Sequence, residues 1–84
     1  MKEKLIGKIT HYYREIGVAI VELAGTLKKG DKIHIKGSTT DFEQEADSMQ
    51  IDHADINQAN KKDLIGMKVE QKVRNGDKIY LVLS

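Results

Sequence analysis

Apolar and polar residues alternate along most of the chain. Ile33 and Ile35 alternate with Lys32, His34 and Lys36, and Ile79, Leu81 and Leu83 alternate with Lys78 and Tyr80. A period of two marks a strand with one face in the core and the other in water. Residues 5–13, rich in β-branched and aromatic side chains, read as a first strand, and residues 17–23 as a second, joined around Arg14-Glu15. The second is apolar on both faces: Val18 and Ile20 point one way, Ala19, Val21 and Leu23 the other. Such a strand is buried twice over, or it offers one side to a partner. Residues 31–36 form the third strand. The fourth changes phase, because Phe42, Gln44 and Ala46 share one parity whereas Met49 and Ile51 share the other; a β-bulge near Asp47-Ser48 is the expected solution. Ile65, Met67, Val69 and Val73 keep one parity through a fifth strand, and Asn75-Gly76 predicts a hairpin into the sixth.

Two stretches nearly repeat: Lys28-Lys29-Gly30-Asp31-Lys32-Ile33-His34-Ile35 and Arg74-Asn75-Gly76-Asp77-Lys78-Ile79-Tyr80-Leu81. Each reads as a tight turn opening into a strand, with Gly30 and Gly76 free to take a positive φ. The run 55–60 predicts at most one helical turn, with Asp55 as its N-cap. Six short strands with regular turns and almost no helix make an all-β sandwich or barrel. Closure removes sheet edges, and no proline is present to protect an edge. The expectation is a single domain over residues 1–84, a six-stranded antiparallel closed β-barrel.

The 84 residues bury only a modest core and, without cysteine, have no disulfide or thiolate ligand to staple it. Sheet closure and apolar packing must do that work. No apolar run approaches the roughly 20 residues of a membrane span, and the charged start Met1-Lys2-Glu3-Lys4 leads straight into strand pattern, so neither a membrane segment nor a signal peptide is expected. A cytoplasmic location fits. The net charge of +1 hides an uneven distribution: residues 41–55 hold six carboxylates and no Lys or Arg, while the remainder holds 14 basic against 7 acidic residues. A dipolar surface that orients or steers a partner, or ordinary solvated strand faces, both fit that pattern.

Candidate chemistry is sparse. His11, His34 and His53 show no short ligand spacing, so no metal or cofactor is expected. Glu43, Glu45 and Asp47 share one strand face, but no pocket is apparent to separate their pKa values for acid–base work. A small hydrolase using Glu43, Glu45 or His11 would need such a pocket. Cationic and aromatic side chains interleave only at Lys8 with His11-Tyr12-Tyr13-Arg14, where rings stack on bases in single-stranded RNA binding and cations follow phosphates. Alternation sends Tyr12 and Tyr13 to opposite faces, so at most one ring is presented. Lys28, Lys29, Lys32 and Lys36 extend the candidate RNA-binding surface.

The order of features resembles the β-barrel second domain of the translational GTPases, such as elongation factor Tu and initiation factor two. The pieces that carry it are Ile6-Gly7-Lys8-Ile9, Gly25-Thr26-Leu27-Lys28-Lys29-Gly30-Asp31-Lys32-Ile33, Ser48-Met49-Gln50-Ile51, the Ile56 and Ala59 pair, Asp63-Leu64-Ile65-Gly66 and Asn75-Gly76-Asp77-Lys78-Ile79. Small stand-alone elongation-factor-like proteins share this pattern, and a related barrel ends the U32 family of peptidases. The chain departs from the factors in two places: Lys62 stands before Asp63 where a glycine is common, and Glu70 follows Val69 where elongation factor Tu has an arginine. No Gly-x-x-x-x-Gly-Lys-Ser/Thr phosphate loop is present, so no nucleotide is expected. The resemblance implies a non-enzymatic binding module in contact with RNA or a ribonucleoprotein. Its rival is a protein-interaction module docking on a separately encoded enzyme such as a U32-type peptidase, with strand two as the patch and the acidic segment steering it.

Overall fold

The computed structural model describes residues 2–83. Ten strand segments follow one another: β1 (Lys2–Tyr13), β2 (Val18–Leu23), β3 (Leu27–Lys28), β4 (Lys32–Lys36), β5 (Asp41–Glu45), β6 (Met49–Ile51), β7 (Ala54–Asp55), β8 (Gln58–Ala59), β9 (Leu64–Lys68) and β10 (Lys78–Leu83). Eight form one sheet in the order β5-β4-β10-β1-β2-β9-β6-β7, every pairing antiparallel, and β3 pairs with β8 separately. The all-β antiparallel expectation holds. The six-stranded closed barrel does not, because no ladder joins the two ends of the sheet among the described residues.

What replaces a closing ladder is the chain itself. Phe42, Gln44 and Ala46 are buried, and so is Met49 of the opposite parity, so the change of phase is real. It is not a bulge within one strand, however. β5 pairs with β4 at one end of the sheet and β6 pairs with β9 near the other, so Ala46, Asp47 and Ser48 carry the chain across the gap. The bulges fall instead in β1, whose register shifts between Leu5 and Gly7 against β10 and between Ile9 and His11 against β2. Bulges raise local twist and bend a long strand. Phe42 of β5 and Met49 of β6 thus join Ile35, Ile79, Ile9, Val21 and Met67 in one buried cluster, which requires the sheet to coil. At the seam the buried Gln44 amide is fully used: Nε2 donates to the Lys68 carbonyl at 3.0 Å, and Oε1 accepts from the Glu70 amide at 2.8 Å.

The helical turn expected near 55–60 is absent; that segment holds β7 and β8, and the Asp55 carboxylate accepts from the Gln50 side chain at 2.9 Å rather than capping a helix. Asn75-Gly76 does form a turn, yet β9 and β10 do not pair, because β10 lies between β4 and β1. The turn is anchored on β1, with Gly76 N donating to Ile9 O and Ile9 N to Asp77 O, each at 2.7 Å. Val69 and Val73, expected within the fifth strand, lie beyond the end of β9 but are buried.

The repeated turns share one hydrogen-bond pattern. In Lys28-Lys29-Gly30-Asp31 the Asp31 amide bonds Lys28 O at 3.1 Å and its carboxylate accepts from Lys28 N at 2.9 Å; in Arg74-Asn75-Gly76-Asp77 the corresponding distances are 3.1 and 2.9 Å. Gly30 and Gly76 have φ of 94° and 90° at the third position, as a type II turn requires. A third copy was hidden in the sequence. Asn60-Lys61-Lys62-Asp63 makes the same two bonds at 3.0 and 2.8 Å, with Lys62 at φ 76° where the other copies have glycine. A side chain in that region costs about 1–2 kcal/mol, partly offset because glycine loosens the unfolded chain.

The acidic and basic segments fold against each other. Lys32 lies opposite Glu45 and Lys36 opposite Asp41 across β4 and β5, and the Lys32 ammonium is 3.2 Å from Glu43. His34 sits between them: Nδ1 is 2.8 Å from a Glu3 carboxylate oxygen, and Nε2 bonds the Asp41 carboxylate. The Asp41 hydrogen bond, reinforced by Glu3, holds His34 above its ordinary value of 6.5 against the opposing effect of partial burial. The same bond holds Asp41 below 3.8.

Two outcomes are expected. Lys62→Gly raises the stability measured by urea unfolding by about 0.5–1 kcal/mol; no change or a loss would contradict the strained-turn account. The raised His34 value gives stability that is full below pH 6.5 and is lost as pH rises through the folded-state value, while the lowered Asp41 value gives stability present above pH 3.8 and lost as pH falls through its folded value. Urea midpoints across pH therefore form a plateau with two falling arms, and His34→Gln flattens both. Parallel profiles for the two proteins would refute this linkage.

Candidate functional site

The outer face of the coiled sheet carries an apolar hollow where β2, β9 and β6 lie side by side. Val18 and Ile20 point outward from β2 while Ala19, Val21 and Leu23 are buried, so the two-faced second strand keeps one side for something else. On β9, Leu64 is 56 % exposed. Gly66 lies directly between Ile20 on one side and Gln50 on the other, and without a side chain there the floor drops to the backbone. The space is open: a Cβ on Gly66 would meet Val18 Cγ1 at 3.6 Å and Gln50 O at 3.9 Å, ordinary contact distances.

Two turns wall the hollow. At one end the β1–β2 turn presents Tyr13 and Ile16, 48 % and 65 % exposed, and is closed by Gly17 N donating to Tyr13 O at 2.9 Å. At the other, Asp52 and His53 join β6 to β7 with φ of 51° and 65°, the two left-handed residues of a two-residue hairpin turn that favours Asn-Gly. Neither residue is glycine, so this exposed rim is held in a costly conformation by its surroundings. The hollow has a volume of about 510 Å³ and is mainly apolar. Its chemistry is that of contact: several aliphatic side chains, a tyrosine and a polar rim resemble the make-up of protein recognition sites.

The residues expected to contact RNA do not converge. Tyr13 and Arg14 stand at the β1–β2 turn, where the Tyr13 ring meets the His11 ring edge-on at 4.4 Å between centroids. Tyr12 is half-buried against the core, so one ring alone is presented. Lys8 faces Glu22 at 3.9 Å, Lys28 is on β3 with Lys29 following it, and Lys32 and Lys36 sit on β4 against carboxylates of β5. Two strands, β10 and β1, separate β4 from β2. Glu43 and Glu45 lie outward on the end strand β5, whereas His11 lies on β1 beside Tyr13. Sequence reading picked out Val18 and Ile20 but missed Ile16, Leu64, Gly66, Asp52 and His53. The two-faced pattern of β2 was the available signal; the partner strand β9 was visible only through pairing.

No family model matches the chain. It is 42 % identical over 78 residues to an uncharacterized protease of Methanocaldococcus jannaschii, covering 92 % of this chain and 19 % of that protein. It is 35 % identical over 77 residues to a collagenase of Porphyromonas gingivalis, covering 89 % and 21 % respectively. The chain thus spans about a fifth of the length of these curated relatives. Among solved structures, two crystal structures of the C-terminal domain of a Geobacillus thermoleovorans protein classed with the U32 peptidases, the first of a selenomethionine variant, superpose with TM-scores of 0.85 and 0.84 at 19 % and 18 % identity. They cover 90 % of this chain, which spans 96 % and 89 % of them. These findings overturn the assignment to the translation-factor domains, and with it the RNA-binding expectation that the likeness carried. The fold is that of a U32 peptidase C-terminal domain, and the sequence relatives are a protease and a collagenase.

Proposed function

We propose that the chain is an interaction module, without catalytic work of its own, that seats against the catalytic part of a U32-type peptidase through the hollow over Gly66. The observation that carries this reading is the pairing of an accessory-domain fold with an unpartnered apolar outer face. The fold is found at the C-terminal end of a peptidase, and the matched relatives are proteases about five times longer than the region they share with this chain. Ile16 and Leu64 are aliphatic side chains left largely in water, and burying what remains exposed would each contribute about 1–2 kcal/mol before the costs of association. The strained Asp52-His53 rim fits the same reading, since function is a common reason to retain a costly turn.

The test is titration of this chain against a U32-type peptidase lacking its own C-terminal domain, followed calorimetrically. Saturable one-to-one binding is expected, weakened at least about tenfold by Leu64→Glu. Gly66→Val fills the hollow while suiting a strand, so it is expected to weaken binding to a similar degree at unchanged or higher stability. Absence of binding, or binding indifferent to both substitutions, would refute the reading.

A further inference from the structure

We infer that the outer face of β1, β4 and β5 holds a site for a divalent transition-metal ion of zinc type, with Glu3, His34 and Glu43 as protein ligands. One donor atom from each lies within 4.8 Å of the other two, although the residues are far apart in sequence. The sheet brings them together: Glu43 lies directly opposite His34, and Glu3 reaches His34 from β1 across β10. Donors around a tetrahedral zinc stand about 3.3 Å apart, so the widest separation here has to close by no more than about 1.5 Å to gather these atoms around an ion.

The donor to Asp41 is the second feature. A ligating histidine commonly gives its other ring N–H to a carboxylate, which fixes the tautomer and turns the free nitrogen toward the metal. His34 Nε2 bonds Asp41, and Nδ1 faces Glu3 at 2.8 Å. An ion replacing the proton between Nδ1 and Glu3 keeps the Asp41 bond intact. Charge supports the replacement: the three carboxylates of Glu3, Asp41 and Glu43 outnumber the ammonium groups of Lys32 and Lys36 beside them, so the patch stays net negative when His34 is neutral and favours a cation. One imidazole with two carboxylates suits zinc and its first-row neighbours, whereas calcium and magnesium favour all-oxygen shells. Three protein ligands leave a fourth position for water. The Lys32 ammonium, 3.2 Å from Glu43, is the resident competitor. The site occupies other strands than the docking hollow, and the inference stands independently of the proposed function.

The experiment is calorimetric titration of the metal-stripped chain with ZnCl₂, with MgCl₂ and CaCl₂ in parallel, and thermal unfolding with and without zinc. One zinc per chain is expected, with Tm raised by roughly 10 °C or more at a hundredfold excess over Kd. His34→Gln and Glu43→Gln each weaken binding at least about tenfold. Lys32→Met tightens it, while His11→Gln and His53→Gln leave it unchanged. Lys32 is exposed, so its variant remains informative if either ligand variant fails to fold. No saturable binding below roughly 100 μM zinc, calcium preferred over zinc, weakening in Lys32→Met, or loss in His11→Gln or His53→Gln instead of the ligand variants would each overturn the assignment.

Discussion

Everything in this structure depends on one sheet burying a single face against itself. A flat sheet of eight strands would expose one apolar side to water, and with no helix to cover that side the sheet must coil until residues from its two ends share a core. Phe42 from one end and Met49 from the other lie in the same cluster, only seven residues apart in the chain. Residues 46–48 make that possible by crossing the gap where a ladder would otherwise run. Backbone polar groups at such a gap need partners, and the Gln44 amide supplies two, to Lys68 and Glu70.

Coiling also decides what the outer face does. Across β4 and β5 the outward side chains are Lys32, His34 and Lys36 against Glu45, Glu43 and Asp41, so the charge segregated in sequence is neutralised between neighbouring strands. Across β2 and β9 no such pairing exists. Ile20 faces a glycine, Glu22 faces Leu64 and Val18 faces Lys68, which leaves aliphatic surface beside polar groups and an unfilled position in the middle. The first region is a solvated ionic surface that steadies an end of the sheet and gathers a metal-competent set of donors; the second is suited to contact with another protein.

Much of this was legible in the sequence because alternation is a local signal. The Ile33/Ile35 and Ile79 positions and the two-faced second strand follow from it, and the positive φ of Gly30 and Gly76 follows from glycine in the repeated turns, a signal equally local. Pairing is not local. Asn75-Gly76 reads as a hairpin from composition alone, but β10 finds better partners in β4 and β1, and the turn anchors to Ile9 instead. The third turn escaped notice because Lys62 carries a conformation expected of glycine, and the stretch 55–60 formed strand segments because pairing of Ala59 with Leu27, both buried, outweighed weak helical propensity. The translation-factor resemblance rested on turns and strand order that the C-terminal domain fold of a U32 peptidase can share, so likeness of a small β fold left function open.

The central claim is that the outer apolar face over Gly66 is a contact surface for a U32-type peptidase. Methyl-resolved NMR of this chain on addition of a peptidase lacking its C-terminal domain tests it most directly. The account expects the signals of Ile16, Val18, Ile20 and Leu64 to shift or broaden together while those of Leu5 and Leu83 stay fixed. Movement confined to Leu5 and Leu83, or no movement at saturating peptidase, would contradict it.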